Sequence, residues 1–410
     1  MQSDHQKETP SHTAHAAATS GKLHQSSRLD QLGRRLVSGM FRRMFHRLGG
    51  QLCEPGTLPA AGIHRVLISR PNHRLGNTVL ISALIAEVQT LYPGAEIDLV
   101  GSEATDALYS PLFVVHKVFA LPRKIARHAW YTAGILRDIR SCRYDLAIDA
   151  CNGSQSGKIL LSLANARFKL GFPDRGTGRQ SAWQNLPWPE HLAHRAVFLL
   201  RKAYAGVTND AYPSLRIVLS TAEITEAKRM LCCLFATSSQ KAASPVLGIF
   251  ANATGAKCYG EGWWDGFLDT FQSLHPEVRI VELVAAHGRS NLGDRFVPFY
   301  TQNLRHLAAM VAAMDGFISA DCGVMHLAAA SGTPTLGLFS ITDPAKYAPY
   351  GGANKAVDTR TVAAADAAKE AAQWFASLPQ RGDEATAQDS RSKASDGLDG
   401  PPLPAPSLAR

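Results

Sequence analysis

The 410-residue chain lacks any uninterrupted apolar run near the roughly 20 residues that a membrane-spanning helix requires, which excludes a transmembrane helix as the sequence reads. It also lacks a secretory signal: Met1 to Lys22 is polar and rich in His, Ser, Thr and Ala, and no apolar stretch with a cleavage site follows. Paired cysteine spacing is missing too. Cys53, Cys142, Cys151, Cys232, Cys233, Cys258 and Cys322 are scattered and odd in number, which argues against a zinc site and reads as reduced cytosolic thiols. No short-period repeat is present, so solenoid and propeller architectures are set aside. Acidic residues are the scarcer charge, 34 Asp and Glu against 43 Lys and Arg, for a net charge of +9. The excess is densest between Arg28 and Arg47 and calls for an anionic partner, whether lipid, phosphorylated glycan or nucleic acid.

What is present fits a two-domain soluble enzyme. The length exceeds the roughly 250–300 residues at which one core stops growing, and 45% hydrophobic with 19% charged residues is an ordinary globular balance. Residues 1–26 read as a disordered tail. In Ser27–Leu52, Leu29, Leu32, Leu36, Met40, Phe41, Met44 and Leu48 recur at helical spacing with Arg34, Arg35, Arg42, Arg43 and Arg47 between them. That is a basic amphipathic helix, suited either to an acidic membrane face or to packing on the catalytic body. From His64 onward, short apolar runs alternate with helical patterns. Strands are expected at 65–69, 95–100 and 144–150 and a helix at 78–91; the alternation restarts with strands at 246–250, 279–284, 316–319 and 335–339 and helices at 263–274 and 304–314. Such alternation argues for parallel sheets with covering helices and a ligand at the C-terminal strand ends. Residues 175–244 read as loops with a helix near 194–205, and the Gly, Asp, Ser, Ala and Pro after Leu378 as a disordered tail. The domains expected are thus 1–60, a tail plus basic helix; 61–210 and 211–376, two Rossmann-like domains; and 377–410, a second tail.

Four stretches carry chemistry. Ser69-Arg70-Pro71-Asn72-His73-Arg74-Leu75-Gly76-Asn77-Thr78 runs from strand to helix, where Gly76 either only makes the turn or lets backbone amides meet an anion, flanked by Arg70 and Arg74. Asp149 closes a buried strand, as a proton acceptor or as a cap of the next turn. Phe250 to Lys257 leaves a strand for a polar loop in which Thr254, Gly255 and Lys257 suit a diphosphate, which takes hydrogen-bond donors and a compact cation. The sharpest signal is Ser319 to Pro334: a strand ends at Asp321, Gly323 permits a tight turn, and a small-residue helix aims its free amides at a phosphate. His326 in its first turn is either a donor to that phosphate or a packed core residue. Cys322 has no general base at a recognisable spacing, so covalent catalysis is not expected.

Together these stretches resemble glycosyltransferase family nine, the ADP-heptose lipopolysaccharide heptosyltransferases and their relatives, over about 62–352. The likeness runs through 65–99, Tyr144-Asp145-Leu146-Ala147-Ile148-Asp149, Leu170-Gly171-Phe172, Asp321–Pro334 and Phe339-Ser340-Ile341-Thr342-Asp343-Pro344. The family's Asp-Thr-Gly-Pro-Met-His signature appears here as Asp321-Cys322-Gly323-Val324-Met325-His326, with Gly332-Thr333-Pro334 following in both. The resemblance implies an α/β GT-B fold and inverting transfer of a heptose or related sugar from a nucleotide-diphospho-sugar, with ADP-heptose the donor, to a lipopolysaccharide core or other lipid-linked glycan. It implies no required metal and no cofactor, no nucleic-acid partner, and a cytoplasmic protein with inner-membrane contact through 27–52. Thr254, Lys257, Asp321, Cys322, Gly323 and His326 would then bind the donor, and Asn77, Asp149 and Lys257 would stand at the catalytic centre, beside a loop of Arg70, Arg74 and Gly76. One departure bears on mechanism: the family carries Gly-Asp where this chain has Gly76-Asn77, and a carboxamide does not accept a proton at neutral pH. Asp149, or less readily His73, is the substitute base; failing that, the chain is a nucleotide-sugar-binding pseudoenzyme. No acidic partner for the nucleotide ribose is recognised near Val284–Gly288. A nucleotide-sugar epimerase or dehydrogenase reading lacks its Gly-x-Gly-x-x-Gly turn and Tyr-x-x-x-Lys helix.

Overall fold

The computed structural model describes residues 52–173, 182–236 and 244–379. The expected N-terminal tail, the basic helix proposed for 27–52 (Leu52 apart) and the tail from 380 onward lie outside the described residues. The chain divides into Met1–Leu52 and Cys53–Arg410, and the account below concerns the second unit.

Its first half is built from β1 (Arg65–Ser69), α1 (Leu75–Leu91), β2 (Glu96–Gly101), α2 (Glu103–Tyr109), β3 (Val115–Ala120), α3 (Ala129–Ser141), β4 (Tyr144–Asp149), α4 (Gln155–Leu163), β5 (Ala166–Leu170) and α5 (Leu192–Ala203). The strands form one parallel sheet in the order β3-β2-β1-β4-β5. Central β1 and β4 are almost wholly buried because helices cover both faces, which is why Val66-Leu67-Ile68 and Leu146-Ala147-Ile148 read as continuous apolar runs. A buried ion pair, Arg201 to Glu87 at 2.7 Å, ties α5 to α1.

Next come α6 (Thr221–Leu234), β6 (Val246–Phe250), α7 (Glu261–Leu274), β7 (Arg279–Val284), β8 (Val297–Tyr300), α8 (Leu304–Ala312), β9 (Gly316–Ala320), α9 (Gly323–Ala330), β10 (Thr335–Phe339), α10 (Pro344–Tyr347), β11 (Lys355–Asp358) and α11 (Ala364–Ala376). The second sheet is again parallel, ordered β11-β10-β9-β6-β7-β8. Trp264, Phe267 and Phe271 of α7 and Phe375 of α11 pack together on one face of it. On the other face Met310, Met314 and Phe317 fill the core beneath α6.

Each sheet has a single point where the strand order reverses: between β1 and β4 in the first, between β6 and β9 in the second. Loops leaving adjacent strands there run in opposite directions and open a crevice at the C-terminal strand ends. Two expectations need correction. The helix expected from Thr78 starts at Leu75, so Gly76 and Asn77 lie in its first turn rather than in the preceding loop. Residues 175–244, expected to hold loops and one helix, also contain α6, opened by a capping box between Ser220 and Glu223.

Candidate active site

Nearly every residue singled out in the sequence leaves one of the two reversal points. Arg70 follows β1 and Asp149 ends β4, with Ser69 and Asp149 in register. Thr254 and Lys257 follow β6 and Asp321 follows β9, with Phe250 and Ser319 in register.

On the second sheet, the Lys257 ammonium lies 2.6 Å from Asp321 Oδ2, and the Thr342 hydroxyl donates to the same oxygen. Asp321 is 4% exposed while a third of the Lys257 side chain reaches solvent, so a buried carboxylate anchors a cation whose far side stays open. The Lys257 ammonium also stands 5.7 Å from the centre of the Tyr347 ring. Asp321 therefore fixes the position of the ammonium. Thr254 caps the short 3-10 turn Gly255–Lys257 with its backbone and makes no side-chain cap hydrogen bond.

Cys322 is the N-cap of α9, and its thiol lies 3.3 Å from the Ser319 hydroxyl. Burial pushes that thiol up from its ordinary value, which disfavours the thiolate. Gly323 opens α9 against the first turn of α1. A Cβ on Gly323 would stand 2.7 Å from Leu75 Cβ and 2.8 Å from the Gly76 backbone nitrogen, and one on Gly76 would stand 2.9 Å from His326 Cδ2. The two helix N-termini thus meet glycine to glycine, and both bring unpaired amides and the positive end of a helix dipole to the same place. His326 is buried there with Nδ1 unpartnered. Desolvation pulls its pKa down to about 4, with Asp321 opposing the shift and His191 and Lys257 adding to it. It is neutral near pH 7 and offers a hydrogen bond, not a charge.

On the first sheet, Arg70 donates to the carbonyl of Ala150 at 2.8 Å and to Asn77 Oδ1 at 3.0 Å. Burial lowers the guanidinium's pKa, and the charge of nearby Asp149 acts against that. Asp149 is 2% exposed. Its Oδ1 accepts from the Cys151 amide at 2.9 Å, and the carboxylate fills the space that a Cβ on Gly157 would need. Desolvation raises its pKa to about 7, and the Cys151 amide, Arg70 and Lys158 only partly offset the shift. Arg74 and His73 are exposed at the start of α1. Among the described residues no group of three His, Cys, Asp or Glu is placed to hold a metal ion.

The chain is similar to known proteins. The profile of Glycosyltransferase family 9 (heptosyltransferase) matches residues 298–373, which include α9 and the Thr342 loop. The lipopolysaccharide core heptosyltransferase OpsX of Haemophilus influenzae is 21% identical over 302 residues, covering 67% of this chain and 79% of that protein. Lipopolysaccharide heptosyltransferase 1 of Salmonella typhimurium is 25% identical over 312 residues, covering 70% and 92%. The structure of E. coli heptosyltransferase WaaC with ADP superposes with a TM-score of 0.57 at 20% identity, covering 76% of this chain and 99% of that one. A family 9 glycosyltransferase from Veillonella parvula superposes with a TM-score of 0.60 at 15% identity, covering 79% and 92%. The chain is thus similar to family 9 heptosyltransferases, most directly over residues 298–373.

The fold is GT-B, an α/β pair of Rossmann-like sheets. The structure joins the sequence-selected residues into two groups, Lys257 with Asp321 and Arg70 with Asn77 and, by charge, Asp149. The glycine contact between α1 and α9 lies at the meeting of the two halves. Thr254 and Arg74 stay exposed, outside both hydrogen-bonded groups. Three partners were not picked out from the sequence. Thr342 was visible only as part of a family block, and Tyr347 sits in the following short helix. His191 is 157 residues from Ala348, whose carbonyl lies 2.9 Å from its Nε2. Near the loop searched for a ribose contact, Glu282 is buried and already accepts from Ser290 and the Asn291 amide, so it holds its own loop. A separate cavity of about 430 Å³ lies in the first half, lined by Asn152, Phe172, Pro173, Trp183, Gln184, Trp188 and Arg195. Lys257 and Asp321 are not among its walls.

Proposed function

We propose that the chain is an inverting glycosyltransferase that moves a heptose or related sugar from a nucleotide-diphospho-sugar, with ADP-heptose the expected donor, to a lipopolysaccharide core or other lipid-linked surface glycan. The observation that carries this reading is the convergence of the α1 and α9 N-termini beside the anchored Lys257 ammonium. Free amides, two helix dipoles and one cation together suit a departing diphosphate. An acceptor hydroxyl oxygen attacks the anomeric carbon from the opposite face. The bond from that carbon to the diphosphate oxygen breaks, and Lys257, neutral His326 and the amides at Gly323 take up the developing charge. The hydroxyl proton passes to Asp149, whose raised pKa matches a base working near neutrality. The cavity beside Asn152, walled by Phe172, Trp183 and Trp188 with Arg195 at its edge, suits a sugar ring carrying anionic groups and is assigned to the acceptor side. The leaving group is stabilised here without a required metal, so a chelator is expected to leave turnover unchanged. The reaction is placed at the cytoplasmic face of the inner membrane.

The test is release of free nucleotide from a panel of nucleotide sugars, with and without lipid-extracted acceptors. Acceptor-dependent release from ADP-heptose is expected, and no release from any donor would overturn transfer. One observation favours a second reading, a nucleotide-sugar-binding pseudoenzyme: Asn77 cannot take a proton and is held by Arg70. If the wild type is silent and Asn77→Asp is active, that reading replaces the first.

A further inference from the structure

We propose that the segment from Pro122 to Tyr131, between β3 and the first turn of α3, is a docking surface for an anionic lipid membrane. The inference rests on the reading that the acceptor is lipid-linked. Trp130 is 92% exposed, Tyr131 58% and Ile125 48%, so three large apolar side chains stand in solvent within seven positions of one another. They are not spare core: α3 buries Thr132, Ile135 and Ile139 on its other face. Arg123, Lys124 and Arg127 are exposed beside them and have no carboxylate partner among the described residues. From Leu121 to Arg143 the chain carries six Arg and Lys residues against one acid, and that acid, Asp138, already faces Lys117 at 3.4 Å.

The composition selects the occupant. Tryptophan and tyrosine settle at the boundary between headgroups and acyl chains, where an apolar ring and a polar edge are both satisfied. Uncompensated cations beside them are drawn to anionic headgroups. A glycan would use the Trp130 face but gains nothing from exposed Ile125, and an acidic protein would use the cations but not so water-exposed an indole. Topology gives the surface a purpose. The segment leaves the C-terminal end of β3, and the same end of that parallel sheet delivers Arg70 and Asn77 from β1 and Asp149 from β4. A membrane held there presents its embedded acceptors to the mouth of the first sheet.

The test uses the full chain and phosphatidylcholine vesicles containing about 30% phosphatidylglycerol, free of donor and acceptor. Vesicle sedimentation is measured for the wild type, for Arg123→Glu with Lys124→Glu and Arg127→Glu, and for Trp130→Ala with Tyr131→Ala. Salt-sensitive binding of the wild type and a loss of about tenfold or more in each variant are expected. Transfer to a delipidated acceptor should stay within about twofold of wild type, while transfer to vesicle-embedded acceptor falls. Equal vesicle affinity in all three proteins, or no binding by the wild type, would overturn the proposal. So would equal loss of transfer on both acceptors, which would give the segment to the glycan. Because the vesicles used for sedimentation hold no substrate, absence of transfer would count against the proposed activity and leave the docking result standing.

Discussion

Asn77, Arg70 and Asp149 form one group at the C-terminal end of the first sheet. With a carboxamide at the start of α1, the guanidinium has a neutral hydrogen-bond partner, and the carboxyl whose charge acts on it is Asp149. Asp149 accepts a proton only when ionised, and burial places that ionisation at about 7. Transfer measured as kcat/KM against pH should therefore rise through pH 7 and level off above it. Asp149→Asn should flatten the profile and lower the rate by about 10²–10⁴; a profile unchanged in that variant would remove Asp149 from the reaction. The stability consequence has the opposite sense. A carboxyl whose folded pKa is raised binds its proton more tightly when folded, so its contribution is most favourable under acidic conditions. That contribution is lost as pH rises from the ordinary carboxylate range to about 7. At the glycine contact, Gly323→Ala forces a Cβ against Leu75 and the Gly76 backbone, so α1 and α9 must part. Donor turnover should drop by about tenfold or more, the cost expected of a misplacement on the ångström scale. Gly262→Ala, in the first turn of α7 with nothing within 4 Å, should leave turnover intact in the same assay.

Among the elements, α6 and α8 are joined by a bidentate pair: Arg305 binds both Glu223 carboxylate oxygens at 2.6 Å and also donates to the carbonyls of Leu108 and Val218. The guanidinium holds the Glu223 carboxyl down to about 2. Its contribution is therefore complete above the ordinary glutamate range and lost as pH falls toward about 2. Arg305→Ala should cost about 1–3 kcal/mol in urea denaturation at neutral pH. The stability gap between wild type and Glu223→Gln should close on acidification over that window, and a pH-independent gap would deny the pair its role. This pair also marks where the sequence stopped being informative, since the partners lie 82 positions apart. The central strands β1, β6, β7 and β10 were legible residue for residue because burial on both faces demands largely apolar runs. Strands β3, β5, β8 and β11 were missed, and all four are sheet edges. Half-exposed edges tolerate residues such as His116 and Lys117 in β3 or Pro298 in β8, which erase the periodic signal. Helix α1 was read three residues short because it starts without a side-chain cap or an acidic residue in its first turn. The Ser220 and Glu223 capping box of α6 was written in the sequence but lay within a stretch taken for loops.

For the whole molecule, two parallel sheets built to one plan place their reversal points so that an anchored cation and the N-terminus of α9, which meets that of α1, follow adjacent strands. Sequence motifs named the residues on each side; only the fold shows that Asp321 pairs with Lys257 and that α1 meets α9 through glycines. The central claim is that this junction binds a diphosphate, and calorimetric titration of ADP into the wild type and Lys257→Ala tests it most directly. The account predicts saturable binding to the wild type and affinity at least about tenfold weaker in the variant, or ~1.4 kcal/mol, with thermal unfolding still cooperative. An unchanged dissociation constant in a folded Lys257→Ala protein would contradict it.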